Sequence, residues 1–208
     1  MRRVVVLAIL ALALPIAAWA DIIVTNQFGS ISISVAGVTS TQSQLKSWGA
    51  INAPAGHSLG TVSFSTGALI SGSIAAGGQF AGGGSFNVLG VGAWAKTLTG
   101  CPSCKNPVTI FTGSFVGPVN WTLISPPGAK TLVYTLSGAI SGTLWDGRIV
   151  SGTTSQTIYS NNGQLTAGVG HIKVGTTNLA VPEPGTLGLL GTGLVGIAGM
   201  FRRTRIGA

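Results

Sequence analysis

Ser30-Ile31-Ser32-Ile33-Ser34-Val35 alternates a small hydroxyl residue with an aliphatic one. Successive side chains of an extended strand point to opposite faces, so Ile31, Ile33 and Val35 share one face and the serines share the other. A helix would scatter the same residues around its circumference. Thr61-Val62-Ser63-Phe64-Ser65 repeats the device. Both runs therefore predict β-strands with one apolar and one wet face.

Further strands are expected over Phe80 to Val91, Val108 to Val116, Val119 to Ile124, Thr131 to Ile140, Thr143 to Tyr159 and Leu165 to Val174. Asp146-Gly147 lies between Thr143-Leu144-Trp145 and Arg148-Ile149-Val150, and that dipeptide between apolar runs signals a hairpin. Asn161-Asn162-Gly163 signals another. The best helical candidate is the short Thr41 to Trp48. Turn signals at close intervals point to an all-β fold, a single antiparallel β-sandwich-like domain over residues 21–174. Residues 175–181 then form a linker.

Charge is sparse. The chain of 208 residues is 7% charged and carries a formal +8. Five of its eleven basic residues (Arg2, Arg3, Arg202, Arg203, Arg205) lie near the two ends. Between Asp21 and Pro184 there remain Lys46, Lys96, Lys105, Lys130, Arg148 and Lys173 against Asp21, Asp146 and Glu183, six against three, or +3. None of the six adjoins another, so the sequence shows no basic stripe to follow phosphates, and nucleic acid is not an expected partner. A surface this poor in charge must be wetted by Ser, Thr, Asn and Gln.

The ends carry addresses. Arg2-Arg3, the apolar run Val4 to Leu14, the breaker Pro15 and the small residues Ala18 and Ala20 before Asp21 form a secretory signal peptide, residues 1–20. At the other end Pro182-Glu183-Pro184 precedes an uncharged run, Gly185 to Phe201, then Arg202, Arg203 and Arg205. As a helix the run would be about 25 Å long, near the ~30 Å of a bilayer core. The arginines would resist translocation. The prolines keep Glu183 on extended backbone that an enzyme cleft can hold.

Residues 182–208 resemble a PEP-CTERM protein-sorting signal, with the Pro-Glu-Pro, the apolar helix and the arginine cluster in order. The resemblance implies an exosortase-like processing enzyme as partner. It also implies a transient membrane anchor over residues 185–201, cleavage near Pro182-Glu183-Pro184, and release to the cell surface or matrix. It says nothing about the body.

For the body's chemistry the inventory is thin. Cys101-Pro102-Ser103-Cys104 lies in a Gly/Pro/Asn-rich loop of an exported chain, where a structural disulfide is expected. Redox chemistry is one alternative. A zinc site is another, if His57 and His171 converge on the cysteines. Asp146 is the body's one carboxylate away from its ends, so neither a carboxylate pair nor a convincing triad is available. No enzyme activity, cofactor or metal is expected. Trp48, Trp94, Trp121 and Trp145, with Tyr134 and Tyr159, are candidates for a sugar-stacking platform, against ordinary core packing. The function expected is that of an exported structural or interaction protein of an exopolysaccharide or biofilm matrix. The alternative is a carbohydrate-binding module, with a secreted hydrolase more distant.

Overall fold

The computed structural model describes residues 21–126, 129–160 and 168–181. The expected secretory signal of residues 1–20, the sorting signal and the expected Asn161-Asn162-Gly163 turn lie outside them. Asp21–Val181 is one compact unit.

The two alternating runs become β2 Ser30–Ser34 and β5 Gly60–Ser65, among strands β1 Ile22–Gln27, β3 Gly37–Trp48, β4 Ile51–Asn52, β6 Leu69–Ser73, β7 Gly77–Phe80 and β8 Gly83–Gly90, of which β1, β4 and β6 were not expected. A short helix, α1 Ala93–Leu98, precedes β9 Val108–Phe115, β10 Val119–Leu123, β11 Leu132–Leu144, β12 Ile149–Ser160 and β13 Gly168–Ala180.

Register shows that several neighbouring segments are halves of one strand. Ile22 faces Leu179 and Asn26 faces Gly175 across β1 and β13. Beyond a break at Phe28-Gly29, Ser30 faces His171 and Ile33 faces Gly168. The pairing advances without a slip, so β1 and β2 are a single interrupted strand. β5–β6, β7–β8 and β9–β10 are likewise interrupted strands, each half facing the same neighbour. The result is eight antiparallel strands following one another in chain order. The last, β13, pairs with β1 and β2, which pair in turn with β3. The sheet therefore closes on itself as an up-and-down barrel, with β4 a small addition to β3.

The expected sandwich is thus corrected to a closed barrel. Alternation reports that one face is buried, which is equally true of both architectures. Which partner the first and last strands take is a separate matter. Closure removes the two edges that a sandwich must protect.

An eight-stranded barrel has an interior just wide enough for side chains to fill. Here Phe64, Phe86, Phe111 and Phe115 fill it ring to ring, with centroids 6.0–6.2 Å apart. Trp121 and Tyr134 stack at 4.6 Å. The outer face mixes hydroxyl and amide residues with exposed aliphatics such as Ile23, Ile70, Ile149 and Val169. Gln79, Asn120, Ser137, Ser155, Thr176 and Thr25 follow one another in register around the wall. The inside is apolar apart from a group of buried polar residues that includes Asn26, Ser43, Thr154, Gln156 and Thr177. Among the described residues no helix is long and apolar enough to cross a membrane.

Three local expectations are also corrected. Thr41 to Trp48 is strand, inside β3, because β1, β2 and β5 flank it and take its backbone hydrogen bonds. Helix α1 was not anticipated: it is six residues long and buries only Ala95. It seats where Gly90 leaves room, since a methyl group there would meet Ala95 at 2.7 Å. Residues 175–180 are not a linker but the second half of β13, paired with β1 and β12 and burying Thr177 and Leu179. Their small polar residues read as a spacer in sequence, but two flanking strands are enough to hold them.

The Asp146-Gly147 hairpin forms as read. Leu144 N–H donates to Arg148 O at 2.9 Å, and Gly147 takes φ +84°.

Candidate functional site: a cation–aromatic row on the barrel wall

The tryptophan platform does not exist as expected. Trp48 and Trp121 are 3% and 1% exposed and belong to the core. On β10 the alternation turns Asn120 and Thr122 outward and Trp121 inward, where its Nε1 donates to Ile74 O at 2.7 Å. Trp94 is half-buried and donates from Nε1 to Leu59 O at 3.0 Å. Trp145, also half-buried, meets Trp48 edge-on at 6.2 Å. Tyr134 is buried. Strand parity points these large rings to the side where burial rewards them most.

Cys101 and Cys104 are joined as a disulfide. Bonded to each other, the two sulfurs are not available as thiolate ligands for zinc. Among the described residues no group of three or more His, Cys, Asp or Glu side chains converges. Asp146 is held by its own turn, accepting from Arg148 N–H at 3.1 Å and from its Nε at 2.7 Å. Slight burial opposes its charged form, but these bonds and the Arg148 charge hold the carboxyl below its ordinary range.

The unusual geometry lies elsewhere. Among the described residues two non-glycine residues have left-handed backbone, Phe28 at φ +52° and Gln42 at φ +57°. Such residues cost on the order of 1–3 kcal/mol each and persist where the surroundings over-determine them. They sit across from each other. Gln27 faces Gln44 and Ser30 faces Thr41, which leaves Phe28-Gly29 opposite Gln42-Ser43. Gln44 N–H donates to Phe28 O at 3.1 Å, and Ile172 N–H to Gly29 O at 2.8 Å. The backbones are too close for a side chain at 29: a Cβ there would lie 2.8 Å from Ser43 Cα. Unbroken register with β13 on both sides gives the break no freedom to relax.

Phe28 is consequently turned out of the wall and is 61% exposed. Lys46 Nζ lies 5.5 Å from its ring centroid and donates to Gln44 Oε1 at 2.8 Å and to His57 O at 2.7 Å. On the other side, the pairs Asn26–Gly175 and Ser30–His171 place Phe28 level with Lys173. Lys173 is the extra residue of a bulge, since Thr157 faces Val174 while Ile158 faces Ile172. Its Nζ lies 5.0 Å from the Tyr159 centroid and donates to Tyr159 Oη at 2.8 Å. Lys46 lies near the Phe28 ring, the kind of approach in which a ring quadrupole attracts a cation, whereas Lys173 is held at the hydroxyl end of Tyr159. Neither has a carboxylate partner among the described residues. An open groove of about 400 Å³ runs beside the row, lined by Phe28, Ser30, Thr41, Gln42 and His171.

Behind this wall lies a buried polar cluster. Asn26 Nδ2 donates to Ser43 Oγ at 2.7 Å and to Gln156 Oε1 at 2.9 Å. Gln156 Nε2 donates to Thr154 Oγ1 at 2.9 Å, and Thr154 bonds Thr177 at 2.8 Å. Ser43 in turn donates to Gln27 O at 3.2 Å. Through Ser43 the network holds the Gln27 carbonyl, directly before Phe28, from inside the barrel. Of the row, only Tyr159 was among the sequence candidates; Phe28, Lys46 and Lys173 were not, because the four come from separated stretches. Phe28-Gly29, directly before the alternating run Ser30 to Val35, was the one local sign of a break.

Residues 180–203 match the family described as the PEP-CTERM protein-sorting motif, the pattern of an exosortase substrate. The match begins on Ala180, the last residue of β13, so body and signal abut in sequence. The motif implies export, anchoring through the C-terminal signal and arrival at the surface. The body is not recognised: no curated protein and no solved structure matches the chain.

Proposed function

We propose that the chain is a structural or interaction protein of an exopolysaccharide or biofilm matrix, delivered there by its sorting signal. In this reading residues 1–20 are removed after export. The segment 185–201 holds the chain in the membrane with Arg202, Arg203 and Arg205 on the cytoplasmic side. An exosortase-like enzyme then cuts near Pro182-Glu183-Pro184. The barrel works outside the cell by contact, not by catalysis.

The observation that carries this reading is the sorting motif starting on the final strand of a closed, side-chain-filled barrel. Among the described residues the barrel interior is occupied by buried side chains, and Asp146 is committed to its hairpin. What remains for function is the outer wall.

Mass spectrometry of the protein from the native cell surface tests the delivery. An N-terminus at Asp21 and a C-terminus near Pro182 are expected. Recovery of the full-length chain, both ends uncut, from the cytosol would end the proposal.

A further inference from the structure

We propose that the row formed by Lys46, Phe28, Lys173 and Tyr159 is a binding site for a carboxylate-bearing polysaccharide. The inference deepens the matrix reading, on which it rests only for the source of the glycan.

Two requirements of such a ligand are met together. An extended glycan offers ring faces of C–H groups, which pack on aromatic rings. Phe28 offers an exposed ring, and Tyr159, two strands away, is half-buried. Two inter-strand steps amount to about 10 Å, comparable to two sugar residues in an extended chain. A uronic acid also offers carboxylates along that chain, and the row holds two ammonium groups that lack a carboxylate among the described residues. Each Lys has three donor hydrogens, so its protein bonds leave capacity for an incoming anion. The groove beside the row adds the hydroxyl and amide groups of Ser30, Thr41 and Gln42 for sugar hydroxyls.

Strain supports the assignment. Left-handed φ at a bulky residue is unfavourable, and Asn occupies that region far more readily than Phe. An exposed Phe28 gains little burial in return. Holding it there, with a buried amide network behind it, is accounted for if the ring is wanted on the outside. Other polyanions fit less well. Nucleic-acid affinity grows with the number of phosphates neutralised, and two lysines neutralise few. The open groove offers a peptide no enclosed apolar pocket for an anchoring side chain.

The test uses the full chain in detergent and, as probe, polygalacturonate beside its methyl ester, which keeps the rings and loses the charge. Polyglutamate and single-stranded DNA are controls. Phe28→Asn removes the ring while relieving the backbone, so it keeps or raises the melting temperature. Lys173→Gln removes the charge. Polygalacturonate is expected to bind, and each variant and the methyl ester to bind about tenfold more weakly. The proposal is overturned by absent binding, by equal binding of the ester, by variants that bind as the parent does, or by equal affinity for polyglutamate or DNA. Failure here with correct processing at both termini removes the site and leaves the delivery reading standing. Cytosolic, uncut protein that still binds does the reverse.

Discussion

Asn26 and Gln156, 130 residues apart in the chain, exchange amide hydrogen bonds inside the barrel wall, at 2.9 Å in one direction and 3.3 Å in the other. Both are fully buried. A buried amide that loses its partner bears the whole desolvation penalty, about 1–3 kcal/mol. Asn26→Leu and Gln156→Leu should each destabilise the fold by about 2 kcal/mol in denaturant unfolding. The double variant should lose at least about 1 kcal/mol less than the sum of the two. Simple additivity would show that the pair does not act as a unit.

Gly175 is the residue that lets those amides fit, since a methyl group there would fall on the side-chain oxygens of both Gln156 and Asn26. Gly147, in the β11–β12 turn, has φ +84° and open space around it. Gly175→Ala should therefore cost about 2–3 kcal/mol through overpacking. Gly147→Ala should cost only its backbone strain, about 1–2 kcal/mol. Equal effects, or the reverse order, would contradict the packing assigned to Gly175.

Trp121 is stacked on Tyr134 and hydrogen-bonded in the core, whereas Trp145 is half-buried at the barrel's periphery. Trp121→Ala should destabilise by about 3–5 kcal/mol, and Trp145→Ala by clearly less. Binding of polygalacturonate by folded Trp145→Ala should match the parent. A large loss of binding there would restore the tryptophans as a sugar surface.

Asp146 is the clearest titrating element of the described residues. Its carboxyl is lowered in the folded state, so the pair with Arg148 stabilises above the unfolded carboxylate's ordinary value near 3.9 and is lost as pH falls through the lowered one. The pair is well exposed, and such pairs are worth at most about 1 kcal/mol. Comparing melting temperatures of the parent and Asp146→Asn from pH 2 to pH 7 should give a small gap at neutral pH that closes on acidification. A gap that widens toward acid would reverse the sign.

Much of the strand content was legible because alternation is local. Ser30 to Ser34 and Thr61 to Ser65 lie on β2 and β5 with the apolar residues inward as expected. Val35 was expected to join Ile31 and Ile33 but sits past the end of β2, 69% exposed. The segment 175–180 was misread because Gly-Thr-Thr-Asn-Leu-Ala has little apolar signal of its own. It is strand because β1 and β12 stand on either side of it. The tryptophans were named as surface candidates because composition cannot say which parity of a strand faces inward.

The amino-acid order by itself determined the sorting motif at the C-terminal end and the wet and dry faces of strands such as β2 and β5, since both are read from neighbours in the chain. Tertiary structure alone decided that β13 returns to β1 and closes a barrel. It also decided that Phe28 stands level with Lys173. Both depend on pairing between residues far apart in sequence, and hydrogen-bonded register, unlike alternation, leaves no mark in either partner considered alone.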